Sequence, residues 1–538
     1  MEFRLRRPVL VLVGFFVLTT LLYISARAGG FVLDDWSLIV ENPALSAAQS
    51  PLHFWTTFVQ ADYWPLSYTC LWVMWNLFGR NTEPYHWVNF VLHAMNGATL
   101  YFLLREYKLR WPLFWAALFL IHPVQVESVA WIFQMKTLLA TFFCLLAWWL
   151  YVHGEDQENS QKWQWASVLV FLAGLLSKTS IVVLPVVLLL EEFRRGASWR
   201  DKKVYLKVAP FFVCSFLLAG ATLMVSVVNT ERGGVQDWAP TFAVRMLSVG
   251  QSVWIYLKGF FAPFDLSFLY GRGESFSACP EAILGWIIFV GLTVAVVGWG
   301  WRGRKQLWVL GGLVYALGIL PALGFITVPY MRYSPAADHW QYLSTIGGVI
   351  FLGDLADRFY RRLRGEGSKL ALRGFGFCVL CGFSVLTYHN AGYYEHERIL
   401  LAHTLEQNPT TSFGWYILGV SYYRDGEESQ AERSFEKAAS LSTSETMAQY
   451  NLSVLAAKRS DYAKAEVLVR GFLKDYPHYP FALDLLGRIT DMHGNFDEAL
   501  QLYNLARKYY PEVPAVKNGY CELYQRHGRL SEVADVCR

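Results

Sequence analysis

The stretch FVLDDWSLIVENP at positions 31–43 sets two adjacent carboxylates, Asp34 and Asp35, just behind the first apolar run of the chain. Neighbouring carboxylates repel, which raises the proton affinity of one of them and suits it to take a proton from a weak nucleophile such as a hydroxyl. More titratable groups stand at the ends of later apolar runs. HPVQVESVAW carries His122 and Glu127, Lys136 follows it, SKTS carries Lys178, and YMRYSPAADHWQYLS carries Arg332, Asp338 and His339. Each has an ordinary reading. The acids are candidate N-caps for WSLIVENP, and Lys178 could snorkel to an interface. His122 could end a helix on a carbonyl, and Arg332 and His339 could be loop polar groups. What sets them apart is a shared side of a membrane, where ionisable groups are costly and mark function.

The elements that position these residues are apolar. Of 538 residues, 54% are hydrophobic and only 17% are Asp, Glu, Lys or Arg, which points to a membrane protein; a formal net charge of +4 gives no reason to expect nucleic acid. Spans are expected at 8–26, 85–104, 111–122, 136–152, 163–177, 180–190, 205–228, 282–300, 306–322, 343–358 and 370–388, about eleven in all. The first, behind MEFRLRR, lacks a small-residue cleavage site and reads as an uncleaved anchor. Basic clusters at 4–7, 105–110, 193–203, 301–305 and 357–369 fall on one side if the N-terminus is cytoplasmic and the spans alternate. The acidic HGEDQENSQK at 153–162 fits that side worst. Segments 64–79 and 244–262 then become helices along the outer interface, and residues 28–84, 122–135, 229–281, 323–342 and everything after 389 face outward. The eight cysteines define no disulfide framework or zinc site, and Cys378 and Cys381 read as small packing residues in an apolar run.

Beyond the last span a period of 34 residues sets in, which divides the chain into 1–390 and 391–538. Ala431, Ala465 and Ala499 share one register; Gly426, Gly494 and Gly528 share another; Pro409, Pro477 and Pro511 share a third, with Thr443 in place of the missing proline. Trp415, Leu418, Gly419, Tyr422, Ala431, Phe435 and Ala438 give a nearly complete TPR pattern. The predicted fold class is therefore all-α: a polytopic bundle followed by an α-solenoid of about four repeats, a docking surface without chemistry of its own.

FVLDDWSLIVENP, HWVNFVLHAMNGATL, HPVQVESVAW, SKTSIVVLPVVLLLEE and ADHWQYLS occur in that order. Together with the repeats they resemble bacterial relatives of the transmembrane-and-TPR O-mannosyltransferases, part of the GT-C class of polyprenol-dependent glycosyltransferases. The resemblance implies that Asp34 and Asp35 are catalytic, Asp34 as base by position, and that HPVQVE and ADHWQYL border the site. It implies a polyprenyl-phosphate hexose donor, mannose-like, and a hydroxyl acceptor such as Ser or Thr of a protein docked by the repeats. Lys136, Lys178 and Arg332 would meet the departing phosphate, with His122, Glu127 and His339 placing the sugar. One base opposite one leaving group implies inversion. The address implied is a bacterial inner membrane with the repeats in the periplasm. Gln134–Met135–Lys136 and His339–Trp340 depart from the family's usual Arg-containing pairs, which leaves the sugar and lipid open.

A divalent metal between Asp34 and Glu127 is compatible with the sequence, but no ligand spacing demands one. Two other classes compete. One is a non-catalytic membrane scaffold that recruits partners through its repeats. The other is a lipid or glycan transporter, which would carry related span repeats and midplane polar groups. Cys521 and Cys537, in the last repeat, are a candidate disulfide if that unit lies in an oxidising compartment.

Overall fold

The computed structural model describes residues 2–47, 50–57, 62–233, 241–271, 280–303, 306–325, 329–442, 446–511 and 513–537. Thr443, part of the basic cluster at 301–305, and residues 234–240 and 272–279 of the outer segment 229–281 lie outside the described residues. The described residues are helical, with no strand. The chain forms two compact units: Met1–Leu223 with Pro240–Gln407, and Met224–Ala239 with Asn408–Arg538. The first unit reaches beyond the hydropathy boundary at 390 because the turn Tyr393–Glu395 packs on the turn Ala26–Ala28 and on the helix Glu397–Gln407.

Each of the eleven apolar segments lies on helix. By length and composition, Ile132–Gly154, Lys202–Val225 and Glu366–Glu395 are long and apolar enough to cross a membrane. Pro112–Leu120 and Pro123–Ala130 make a fourth if their 49° bend is counted within one span. Pro8–Leu22, Pro280–Gly291 and Leu307–Ala322 are shorter apolar helices. Apolar side chains such as Leu206, Phe216, Met224, Leu370 and Phe375 stand exposed on these helices, as lipid-facing residues do. Cys378 and Cys381 are exposed as well, contrary to the packing role expected for them, because almost none of that helix is buried. The helix Phe242–Phe261, expected along the outer interface, packs on Pro280–Gly303; a side chain at Gly285 would meet the Gly250 carbonyl.

The helix Glu83–Glu106 carries the site's framework. It packs against Glu2–Leu22, Pro112–Leu120 and Met135–Gly154. His86, Asn89, His93 and Asn96 recur at helical spacing and are all buried. Breaks in neighbouring helices free backbone carbonyls that must find donors in an apolar interior. This stripe supplies them. Asn89 Nδ2 donates to the carbonyls of Val129 (3.2 Å) and Trp131 (3.0 Å). His93 Nε2 lies 3.0 Å from that of Leu120, and Asn96 Nδ2 donates to the carbonyl of Leu138 (3.0 Å) within the helix Met135–Gly154. His93 Nδ1 lies 2.7 Å from the Tyr342 hydroxyl, joining the ADHWQYL segment to the same helix.

The repeat unit follows its sequence register. Paired helices such as Ser412–Arg424 with Glu428–Leu441 and Thr446–Lys458 with Tyr462–Asp475 pack closely. A side chain at Gly419 would sit 2.6 Å from the Phe435 ring, so only hydrogen fits there. Gly426, Gly494 and Gly528 end their helices at φ +80°, +82° and +69°. Ser460 fills the same position at φ +64°. The Cys521 and Cys537 Cα atoms are 5.8 Å apart and the thiols are joined as a disulfide.

Candidate functional site

The two acids of FVLDDWSLIVENP part company in the structure. Asp35 is fully buried, and its carboxylate is used up by backbone: Oδ2 accepts from Val32 N–H at 3.0 Å and Oδ1 from Phe133 N–H at 2.9 Å. It does not cap the helix that follows, which excludes the N-cap reading. Its proton affinity is raised well above the usual carboxylate range by burial, against the pull of these two hydrogen bonds. Asp34 is exposed, and its carboxylate accepts no hydrogen bond among the described residues. Crowding by protein raises its proton affinity, and the charge of Lys136 counters that rise.

Local backbone explains the division. Leu33 sits in the left-handed region at φ +55°, a conformation that costs a non-glycine residue roughly 1–2 kcal/mol. Trp36–Val40 is a π-helical turn, closed by the 2.7 Å bond from Glu41 N–H to the Trp36 carbonyl. Such turns redirect side chains and occur often at functional sites. The left-handed residue and the wide turn flank the acid pair, turning Asp35 inward and leaving Asp34 outside.

The HPVQVE and ADHWQYL segments meet. Glu127 Oε1 lies 2.7 Å from His339 Nδ1, and Oε2 accepts from His339 N–H at 3.1 Å. Both residues are buried. Burial, reinforced by Lys178 and Lys136, pushes the imidazole well below its usual range. Nδ1 is committed to Glu127, which leaves Nε2 for another partner. Trp131, Tyr330 and Trp340 surround the ring edge-on.

The two lysines approach from neighbouring helices. Lys136 Nζ lies 3.4 Å from the Phe133 ring centroid and 4.7 Å from that of Trp64, a cation held by aromatic faces. Lys178 Nζ donates to Thr137 Oγ1 at 2.8 Å, and that hydroxyl donates to Gln134 Oε1 at 2.6 Å. Burial and the nearby Lys136 charge push Lys178 down to about 7. Asp62, which sequence reasoning passed over, belongs to the same field: burial raises its proton affinity while Lys136 and Lys178 lower it. Its only sequence signal was an acid at the start of a segment read as interfacial.

His122 stands apart from these charges. Its Nδ1 accepts from Val124 N–H at 3.3 Å and its Nε2 lies 3.0 Å from the Phe260 carbonyl, while the ring stacks on Phe260. Both nitrogens serve backbone, so His122 terminates the bend instead of placing a sugar. Arg332 ends the short turn Pro329–Arg332 and is half-buried. The structure thus gathers Asp34, Asp62, Glu127, Lys136, Lys178 and His339 into one electrostatic neighbourhood, with Asp35 beneath it. Among the described residues, no three His, Cys, Asp or Glu side chains group as metal ligands.

Residues 62–219 match the family model for dolichyl-phosphate-mannose-protein mannosyltransferases. That span holds Glu127, Lys136 and Lys178 but neither Asp34 nor His339. Among curated proteins, the protein O-mannosyl-transferase F38B6.6 of Caenorhabditis elegans is 25% identical, over 81% of this chain and 63% of its own. Human protein O-mannosyl-transferase TMTC3 is 27% identical over 92% of this chain and 60% of its own. Drosophila melanogaster protein O-mannosyl-transferase Tmtc2 is 27% identical over 54% of this chain and 33% of its own. The chain therefore spans between 33% and 63% of the length of these relatives. Among solved structures, yeast Tom70 aligns over 75% of this chain and 79% of its own at 12% identity and a TM-score of 0.22, a likeness too loose to establish anything. By family model and curated relatives alike, the chain is similar to the protein O-mannosyl-transferases of the transmembrane-and-TPR kind.

Proposed function

We propose that this chain is a membrane glycosyltransferase that moves a hexose, mannose-like, from a polyprenyl-phosphate donor to a hydroxyl acceptor, Ser or Thr of a protein, with inversion. The observation that carries the reading is the split acid pair. Asp34 is open, crowded and opposite Lys136, while Asp35 is spent on backbone. Asp34 takes the acceptor's proton as its oxygen attacks the anomeric carbon, and the bond from that carbon to the phosphate oxygen breaks. Lys136 and Lys178 stabilise the leaving polyprenyl phosphate, with Arg332 as a further candidate. Lys136, held on aromatic faces, is preorganised to do so. His339, steered by Glu127, offers Nε2 to a sugar hydroxyl. No metal is needed for this route.

A lipid-linked donor fits the unit's surroundings. An apolar cavity of about 490 Å³ lies among Phe242–Phe261, Pro280–Gly303 and Leu307–Ile319, lined by Val253, Leu257, Phe260 and Phe289 and edged by Lys258. We place the N-terminus in the cytoplasm and the repeats outside, where they would dock the protein acceptor; a bacterial inner membrane is the address proposed. The test is transfer by the purified chain in detergent, from a polyprenyl-phosphate mannose to a Ser/Thr peptide, with the anomeric configuration of the product read by NMR. Inverted product from the natural chain and none from Asp34→Asn supports the reading. Equal product from both sinks it.

A further inference from the structure

The acid loop is anchored by a segment that no functional assignment touches. Gly30 N–H donates to the Glu395 carbonyl at 3.4 Å, and Leu33 N–H donates to Glu397 Oε1 at 2.7 Å. Gly29 lies so close to the Tyr394 carbonyl that a Cβ there would approach it to 2.7 Å. The Gly29 carbonyl in turn accepts from Thr82 Oγ1 at 2.7 Å and lies 3.2 Å from His86 Nε2, which fixes the loop to the central helix. Glu397 itself is buried, at 8% exposure. Its carboxylate oxygen is therefore committed to the amide of a residue in the left-handed region, immediately before Asp34.

We propose that Glu397 is a positioning residue for the transfer reaction: its carboxylate holds Leu33 in the left-handed conformation that presents Asp34 to the substrate. The inference rests on the role given to Asp34 above. Leucine does not choose that conformation unaided, since its Cβ crowds the following carbonyl there. Three bonds within the loop also shape it: Val32 N–H to Asp35 Oδ2, Asp35 N–H to the Val32 carbonyl at 3.0 Å and Trp36 N–H to the Leu33 carbonyl at 3.2 Å. None engages the Leu33 amide, so Glu397 alone restrains that peptide from outside the loop among the described residues. Without it the Leu33 backbone relaxes to an extended or right-handed conformation and the Asp34 carboxylate swings from its line of attack. Misplacement on the order of 1 Å at a reacting group costs roughly a hundredfold in rate.

The experiment compares Glu397→Ala, Glu397→Gln, Leu33→Gly and the double variant Glu397→Ala/Leu33→Gly, in the full chain purified in detergent. Each is checked for a single size-exclusion peak and a cooperative melt, then assayed with polyprenyl-phosphate mannose and a Ser/Thr peptide. Glu397→Ala should lose roughly tenfold to a hundredfold in kcat with little change in KM for donor or peptide. Glu397→Gln keeps an acceptor for the Leu33 amide and should retain most activity. Glycine adopts the left-handed conformation freely, so the double variant should recover several-fold over Glu397→Ala, with Leu33→Gly as its reference. A purely structural glutamate would give no such recovery, because the glycine would only loosen the loop further. Should Glu397→Ala fail to fold, Glu397→Asp, too short to reach Leu33, replaces it with the same expectations. Full kcat in Glu397→Ala, no recovery in the double variant, or a Gln variant as poor as the Ala one would each overturn the proposal. If Asp34→Asn is also fully active, the base assignment itself has failed; if Asp34→Asn is dead while Glu397→Ala is unimpaired, only the positioning role has.

Discussion

In the repeat unit, apart from the buried Asp491, charge sits mostly at the surface and pairs along the repeat frame. Arg470 bridges Glu466 at 2.8 Å and Glu498 at 2.6 Å, and Arg459 meets Glu432 at 2.6 Å. Exposed pairs of this kind contribute roughly 0–1 kcal/mol each. Around Asp34 the reverse holds. Glu127, Lys136, Lys178, Asp338 and His339 are buried, the backbone is irregular, and Gln125 and Trp131 carry buried polar atoms with no partner among the described residues. The difference separates two kinds of use. A solenoid needs only repeated packing, so its charges can stay in water. A transfer site must hold charge out of water, where each electrostatic interaction is stronger, and its backbone is bent to do so.

The sharpest way to break that contrast is within the acid pair. Asp34→Asn should lower transfer by roughly 10²–10⁴-fold, the usual contribution of a general base, while leaving the melting midpoint nearly unmoved. Asp35→Ala should do the opposite in kind, leaving two buried amides unpaired at about 1–3 kcal/mol each, which melting in detergent would register. Two folded, equally inactive variants would mean the pair acts as one catalytic unit.

Lys178 tests whether burial has tuned a charge. Held near 7, it is cationic below that pH and neutral above it, so donor phosphate should bind best on the acid side. Donor KM should rise by roughly tenfold from pH 6 to pH 8. Lys178→Arg, charged throughout, should flatten that profile. An unchanged slope would remove Lys178 from the donor site.

Deleting 411–538 should weaken use of a full-length protein acceptor several-fold and leave transfer to a short peptide largely intact, as expected of a tethered docking surface. Assays with both acceptors on a folded truncation decide it; equal losses would make the repeats a structural support. The smallest effect belongs to Ser460, the residue that takes the left-handed turn where three sister repeats have glycine. Ser460→Gly should raise the unfolding free energy by about 0.5–1 kcal/mol without altering peptide transfer, because the strain it relieves is local.

Much was legible in the sequence because it depends on periodicity and on order along the chain. A 34-residue repeat marks its own turns and close approaches, so Gly419, Gly426 and Ala431 could be placed before any fold was known. Apolar length located the helices, and the succession of motifs brought Glu127 and His339 to one site. The tertiary structure decided what each polar residue does there, because that depends on which backbone groups are left unpaired nearby. It committed Asp35 to two amides and His122 to two backbone partners, and left Asp34 open. It set His86, Asn89, His93 and Asn96 on one helix face as partners for backbone carbonyls of neighbouring segments. It brought Asp62 and Glu397, more than 300 residues apart in the chain, to the surroundings of the same acid loop. No pattern in a linear chain encodes that meeting, since it follows from packing, from helix breaks and from the need to satisfy every buried amide.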